Sequence, residues 1–269
     1  MMPASASTSL AAAGLSVRDD GRVRIFCVDR PEHANALSRA LILEYSRAVL
    51  DAEEDESIDV MVLTGGGARV FSAGADLKEM REGDLEGRRF RPPASRVERS
   101  LFEIVHALTK PVLAALNGSA IGGGLELALA CDVRISHPDA KFGLPEAKIG
   151  LGAHFGSVML PRVVPPAIAL EMVMTGELID AAKAERIGLL NHVVPAGEVL
   201  GATLAVARTI GANAPLSVRR VKALARHGAA LPLETALALD PGPSPYRSAD
   251  RMEGIRARLE GRAPKWSGK

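Results

Sequence analysis

The sequence predicts an α/β fold that ends in a helical C-terminal region. Short apolar runs alternate with segments whose apolar residues follow helical spacing, which is the pattern of strands and helices layered on a sheet. Glycine-rich turns separate several strand-like runs from the helices that follow them. Beyond Gly156 the pattern is almost entirely helical, with one strand-like exception at Leu190–Val194.

The first elements are two strands and a helix. The strands Leu15–Arg18 and Val23–Val28 lie on either side of Asp19-Asp20-Gly21, which is a turn signal between β-prone segments. Ser38 is a favoured N-cap residue and precedes a helix with apolar residues at helical spacing. A fully apolar strand, Ile58–Thr64, then ends at a run of glycines.

The middle of the chain continues the alternation. The charged stretch Arg81–Pro93 has no clear period, so we expect a surface loop or a mobile lid. The next predicted elements are the helix Val97–Leu108, the strand Val112–Leu116, the helix Leu125–Cys131, and the strands Val133–Ser136 and Lys141–Leu144. Helices after Pro195 have apolar faces without a sheet partner, so these faces must pack on the core or on another subunit.

Composition excludes several functional classes. The 269 residues carry 33 Lys plus Arg and 32 Asp plus Glu, a net charge of +1 that argues against binding to nucleic acid or an anionic membrane surface. No apolar run reaches the length of a membrane-spanning helix. Cys27 and Cys131 lie in apolar runs, which is typical of free thiols in a reducing compartment. The first 14 residues are rich in Ala and Ser without an early Arg or Lys, so we predict a disordered tail on a cytoplasmic protein.

Motifs for several common chemistries are absent from the sequence. It contains neither a Walker phosphate loop nor a Gly-x-Gly-x-x-Gly turn, and neither a Gly-x-Ser-x-Gly elbow nor a His-Glu-x-x-His helix. The six histidines are scattered without metal-ligand spacing. We therefore expect neither a metal site nor a nucleophile activated by histidine.

Two glycine-rich segments are candidates for a ligand site. Phe71–Lys78 and Asn117–Ala128 each follow a short apolar strand and enter a helix. Small residues let a ligand approach the backbone, and the start of a helix offers unpaired N–H groups with a positive partial charge. Two such ends facing each other would hold an anionic oxygen between two amides. The alternative is that each segment only turns the chain.

Two glutamates accompany these segments. Glu126 lies in the first turn of an otherwise apolar helix, and Glu146 follows the apolar segment Phe142-Gly143-Leu144-Pro145. A buried carboxyl group is costly unless it has a role, although an acid near a helix N-terminus can also simply complement the helix dipole. An acid pair beside an oxyanion site suits proton transfer next to a thioester carbonyl, and this one role accounts for both residues.

These motifs resemble those of the crotonase, or enoyl-CoA hydratase/isomerase, family. The similar segments are, in chain order, Ala34-Asn35-Ala36-Leu37, Phe71–Met80, Lys110–Asp132, Lys141–Gly150, Thr175-Gly176 and Val193-Val194-Pro195. The resemblance implies a crotonase-like spiral of ββα turns, an acyl-CoA thioester substrate and a homotrimer or hexamer. The expected organisation is a disordered tail (1–14), a catalytic core (15–200) and a C-terminal helical oligomerisation region (201–269).

The resemblance also implies roles for individual residues. Ala75 and Gly123 match the backbone N–H donors of the family's oxyanion hole, and Glu126 and Glu146 match its acid pair. The implied substrate-binding positions are Ala73, Ala75, Asp76, Leu77, Lys78 and Gly123. No cofactor is implied, since coenzyme A is part of the substrate.

The sequence also departs from the family pattern. His154 and Phe155 add bulk where many hydratases have small residues, so we expect a different acyl pocket. Glu32 occupies a position where a basic residue near the CoA phosphates is common. Some segments resemble carnitinyl-CoA dehydratases in particular: Pro165–Ile168 with Glu171–Gly176, and the tail Pro264–Gly268.

The function that these expectations favour is hydration of a trans-2-enoyl-CoA. The alternatives within the family are an enoyl-CoA isomerase and a carnitinyl-CoA dehydratase-like lyase, since fold does not fix reaction. An isomerase can act with one acid at the position of Glu146, so the presence of Glu126 favours the hydratase. A non-enzymatic RNA-binding or scaffolding relative would need a Lys-rich helix, whereas Arg96–Leu108 mixes both charges.

Overall fold

The computed structural model describes residues 10–87 and 98–269. Its strands are β1 (Leu15–Asp20), β2 (Val23–Val28), β3 (Val60–Gly65), β4 (Val70–Ser72), β5 (Val112–Ala115), β6 (Ser119–Ile121), β7 (Val133–Ser136), β8 (Lys141–Gly143), β9 (Ile179–Asp180) and β10 (His192–Val193). The helices that shape the described part of the chain are α1 (Arg39–Glu54), α2 (Leu77–Leu85), α3 (Leu101–Ala107), α4 (Gly123–Ala130), α5 (His154–Val163), α6 (Pro166–Thr175), α7 (Ala181–Arg186), α8 (Val199–Gly211), α9 (Pro215–Gly228), α10 (Leu233–Leu237) and α11 (Ala249–Glu260).

The strands form two sheets that the chain visits in turn. One sheet has six strands in the order β1-β2-β3-β5-β7-β10, and the other has four in the order β4-β6-β8-β9. The consecutive pairs β3 and β4, β5 and β6, and β7 and β8 each place their first strand in the six-stranded sheet and their second in the four-stranded sheet. The helices α2, α4 and α5 follow these pairs, so the chain makes successive ββα turns. This arrangement confirms the predicted α/β class.

The central strands of the six-stranded sheet are buried on both faces. Every residue of β3 and β5 is buried, and β2 has a single half-buried residue. Apolar residues of α8, including Val199, Leu204 and Ala207, cover one face, while the main core lies on the other. Strands covered on both faces lack an alternating pattern, which explains the continuous apolar runs in the sequence.

Most predicted elements are present with shifted ends. Ser38 caps α1 as predicted, because its side chain accepts a hydrogen bond from the Leu41 amide at 3.3 Å. The first hairpin differs, since β1 continues to Asp20 and Asp20 pairs with Val23. The turn therefore lies at Gly21, whose φ of 61° suits glycine, and not at the preceding aspartates.

Two predicted irregular segments are partly helical. Residues 1–9 of the predicted tail lie outside the described residues, but residues 10–12 form a helical turn and Leu10 is only 5% exposed. The prediction of disorder is therefore wrong for residues 10–14, because Leu10 is anchored in the main core. The predicted loop or lid Arg81–Pro93 is wrong for its first residues, because α2 continues to Leu85, and residues 88–93 lie outside the described part.

The C-terminal region contacts the core of its own chain through charged groups. Lys222 and Arg226 of α9 form ion pairs with Asp132 at 2.8 and 2.7 Å. The Arg226 guanidinium also donates to the carbonyl oxygen of Ala130, the last residue of α4, at 3.1 Å. The boundary predicted at residue 200 falls inside α8, which packs on the six-stranded sheet and belongs with the core. An oligomerisation role for residues 201–269 stays a prediction.

Two further findings bear on the sequence predictions. Across residues 10–87 and 98–269, no helix is both long and apolar enough to cross a membrane. Both cysteines are free thiols; Cys131 is buried, whereas Cys27 is half-buried.

Candidate active site

The first glycine-rich segment forms a loop between β4 and α2. The Ala73 amide donates to the carbonyl of Ala34 at 3.0 Å, and the Gly74 carbonyl accepts from the Leu37 amide at 2.7 Å. The Gly74 amide donates to the Ser72 hydroxyl at 3.1 Å. These bonds fix the loop from both sides and leave Ala75 exposed.

The second glycine-rich segment turns the chain from β6 into α4. Gly122 has a φ of 55°, and its amide donates to the Gly143 carbonyl of β8 at 2.9 Å. Gly123 is the first residue of α4, so its amide has no acceptor within the helix. Gly123 is half-exposed, whereas the rest of α4 is buried. The amide of Gly123 therefore lies where a fully buried helix reaches an accessible surface.

The two segments meet directly. A Cβ atom added to Gly74, whose φ is 87°, would lie 2.6 Å from the Gly123 nitrogen. A Cβ added to Gly123 would lie 3.6 Å from the Ala75 nitrogen. Residue 74 must therefore be glycine for this approach. The structure brings Ala75 and Gly123 close together.

Glu126 is held by the start of a second helix. It lies in the first turn of α4 and is 7% exposed. Its Oε1 accepts a hydrogen bond from the Gly156 amide, in the first turn of α5, at 2.7 Å. This hydrogen bond fixes the Glu126 side chain at the N-terminal end of α5. Sequence reasoning missed Gly156, although the glycine at the end of the unusual run Leu151–Gly156 was a signal.

Glu146 approaches the turn at Gly122 from the segment that follows β8. It belongs to the short 3-10 helix Pro145–Ile149, and a Cβ added to Gly122 would lie 2.9 Å from its Oε1. Its Oε2 is buried without a hydrogen-bond partner among residues 10–87 and 98–269. Burial raises the pKa of Glu146 above its usual value. The two glutamates therefore border one turn in different electrostatic surroundings.

The predicted substrate-binding positions form an accessible strip beside these groups. Ala73, Leu77 and Lys78 are exposed like Ala75. Asp76 is half-buried, caps α2 by accepting from the Glu79 amide at 3.3 Å, and lies 3.4 Å from Arg30. Asp76 thus has a structural role at the start of α2 that its place in the motif did not reveal.

The arrangement can polarise a carbonyl group and move protons beside it. Two backbone amides from separate segments lie close together, the Glu146 carboxyl group approaches Gly122, and Glu126 lies in the first turn of the helix that Gly123 begins. In the part of the chain that the structure describes, no group of three or more His, Cys, Asp and Glu side chains is placed to hold a metal ion.

Comparison with known proteins places this geometry in a family. Residues 20–269 match the sequence profile of the enoyl-CoA hydratase/isomerase family. A carnitinyl-CoA dehydratase from Salmonella typhi is 37% identical over 95% of this chain and 98% of its own length. The crystal structure of an enoyl-CoA hydratase from Bacillus anthracis superposes with a TM-score of 0.87 at 34% identity, covering 95% of this chain and all of the other. An enoyl-CoA hydratase from Mycobacterium tuberculosis gives a TM-score of 0.85 at 34% identity, over 96% of this chain and all of its own. The chain is therefore an enzyme of the crotonase, or enoyl-CoA hydratase/isomerase, family.

Proposed function

We propose that this enzyme hydrates a trans-2-enoyl-CoA thioester. The observation that carries the proposal is the approach of Glu146 to Gly122, next to Gly123, which lies close to Ala75 and begins the helix that carries Glu126 in its first turn. Hydration needs an oxyanion site, a base for water and an acid for the α-carbon. The site offers a candidate for each.

The surroundings of the two glutamates suggest which is the base. Glu126 accepts an N–H at the positive end of α5, which suits a carboxylate that takes a proton from water. Burial raises the pKa of Glu146, which suits a carboxyl group that carries a proton to the α-carbon.

The proposed reaction balances with these groups alone. Water attacks the β-carbon and transfers one proton to Glu126, while the thioester oxygen gains negative charge between the amides of Ala75 and Gly123. The enolate-like intermediate then takes a proton from Glu146 at the α-carbon. Each amide of an oxyanion hole typically contributes about 2.7–4 kcal/mol to lowering the barrier. Proton exchange with solvent restores both glutamates.

Dehydration is the second candidate, because the relatives from Salmonella are named carnitinyl-CoA dehydratases at 37% identity. Elimination of water from a 3-hydroxyacyl-CoA reverses the same steps, so the same residues would serve. An isomerase would use Glu146 without requiring Glu126.

A substrate panel tests the proposal. The enzyme is incubated with 2-enoyl-, 3-enoyl-, 3-hydroxyacyl- and crotonobetainyl-CoA. Gain or loss of water is read by mass, and the isomeric 2-enoyl and 3-enoyl products are separated by chromatography and distinguished by the absorbance of the conjugated thioester. The proposal predicts addition of water to the 2-enoyl-CoA. Conversion of 3-enoyl-CoA alone would instead support the isomerase, and conversion of crotonobetainyl-CoA alone would support the carnitinyl-CoA lyase.

The remaining parts of the proposal concern cofactors and assembly. We propose that acyl-CoA is turned over in the cytoplasm without a metal or redox cofactor, by a homotrimer or hexamer that binds neither nucleic acid nor membrane. We expect activity to survive exhaustive dialysis against a chelator. We also expect light scattering to give a mass of three or six chains. A monomer with full activity would contradict the assembly.

A further inference from the structure

A small aromatic cluster lies beside the candidate active site. Phe102 of α3 and Phe155 of α5 have ring centroids 5.8 Å apart, and the His106 ring meets Phe155 edge-on at 6.0 Å. The chain has only six phenylalanines, so two of them in one place is a notable concentration. Both rings are half-buried, which leaves part of each accessible.

This cluster lies near Gly123, a proposed oxyanion donor, and near Gly156, which binds the proposed base Glu126. The Phe102 ring comes within 3.4 Å of a Cβ added to Gly123, beside the oxyanion amide. Phe155 directly precedes Gly156, whose amide binds Glu126. A Cβ added to Gly156 would lie 3.3 Å from the Glu126 side chain. The rings thus extend from the oxyanion amide to the anchor of Glu126.

The proposed reaction sets the direction of the acyl chain. The thioester carbonyl lies at the two amides, and Glu126 lies at the β-carbon where water adds. Carbons beyond the β-carbon continue past Glu126, toward the first turn of α5 and Phe155.

The wall formed by these rings is apolar and uncharged at neutral pH. Burial, reinforced by the positive charges of Arg226 and Lys222, lowers the pKa of His106 to about 4. The imidazole is therefore neutral under physiological conditions. A neutral wall suits contact with a hydrocarbon chain.

We propose that Phe155, supported by Phe102, closes the acyl pocket and makes the enzyme selective for short acyl chains. The inference rests on the proposed function for the direction of the chain. In an open apolar pocket each buried methylene group strengthens binding by about fourfold. A chain that meets the Phe155 ring gains nothing from further methylene groups, because the ring occupies their place.

Binding of saturated acyl-CoA esters tests this proposal independently of turnover. Butanoyl-CoA and decanoyl-CoA are titrated into wild type, Phe155→Ala and the bulk-retaining control Phe155→Met by calorimetry. We expect decanoyl-CoA to bind wild type and Phe155→Met no more tightly than butanoyl-CoA. In Phe155→Ala, decanoyl-CoA should gain at least about tenfold in affinity relative to butanoyl-CoA, since the removed ring leaves room for several methylene groups.

Two results would overturn the inference. Decanoyl-CoA binding wild type about tenfold more tightly than butanoyl-CoA would show an open pocket, a result that needs no variant to fold. An unchanged affinity ratio in folded Phe155→Ala would remove Phe155 as the determinant. Failure to hydrate any enoyl-CoA would contradict the proposed function while these affinities still decide the inference.

Discussion

Replacing Gly123 by proline removes one proposed oxyanion donor while leaving the helix that carries it. Gly123 is the first residue of α4, the position where proline is best tolerated because no intrahelical hydrogen bond is lost. Loss of one oxyanion donor typically costs about 2.7–4 kcal/mol of barrier, or about 10²–10³-fold in kcat. Because the charge develops in the transition state, kcat should fall much more than KM rises.

The matched control for this variant is Gly123→Ala. It retains the amide, and its methyl group would meet no atom closer than 3.4 Å, which is ordinary contact with Gly74 and Phe102. We expect Gly123→Ala to keep most of the wild-type turnover of a short 2-enoyl-CoA. Turnover is measured as the loss of the enoyl thioester absorbance. Circular dichroism establishes that both variants fold. A folded Gly123→Pro variant with the wild-type kcat would refute the oxyanion assignment.

Three further predictions concern stability and assembly. Burial raises the pKa of Glu146 in the folded protein, so ionising this carboxyl group above its unfolded pKa lowers the free energy of unfolding of wild type. The free energy of unfolding in urea should therefore be similar for Glu146→Gln and wild type at about pH 4.5, and higher for Glu146→Gln at about pH 8. An equal difference at both pH values would contradict this. Arg226→Met removes a charged partner of Asp132 and should lower the free energy of unfolding by about 1–3 kcal/mol, so an unchanged urea midpoint would exclude a stabilising contact. Deletion from Pro215 onward removes Lys222 and Arg226 and exposes apolar faces, so it should yield aggregate or monomer by light scattering, and a soluble trimer would contradict the assembly role.

The sequence predicted the fold class and the two glycine-rich turns because both depend on local patterns. The apolar runs correspond to strands, and the glycines at 74 and 122 occupy positive φ angles that glycine adopts without strain. Capping by Ser38 was also local, since the residue type alone indicates the start of a helix.

Features that depend on distant contacts could not be predicted in the same way. Leu10 is buried in a core built by later segments, which the Ala- and Ser-rich composition around it did not indicate. The Gly156 amide that holds Glu126 is thirty residues further along the chain, and its role arises only when α5 packs against α4. The Glu146 Oε2 atom is buried without a partner among residues 10–87 and 98–269, which local sequence does not reveal either.

Turnover of 2-enoyl- and 3-enoyl-CoA by Glu126→Gln and Glu146→Gln tests the central claim that two glutamates hydrate the substrate. The amide oxygen of glutamine can still accept from Gly156, so Glu126→Gln should fold while losing the base. Glu146→Gln should lower both hydration and isomerisation by about 10²-fold or more, because it cannot transfer a proton at the α-carbon. Glu126→Gln should lower hydration by a similar factor and barely change any isomerisation of a 3-enoyl-CoA. Hydration by Glu126→Gln within about threefold of wild type would contradict the mechanism, since removal of a general base typically costs far more.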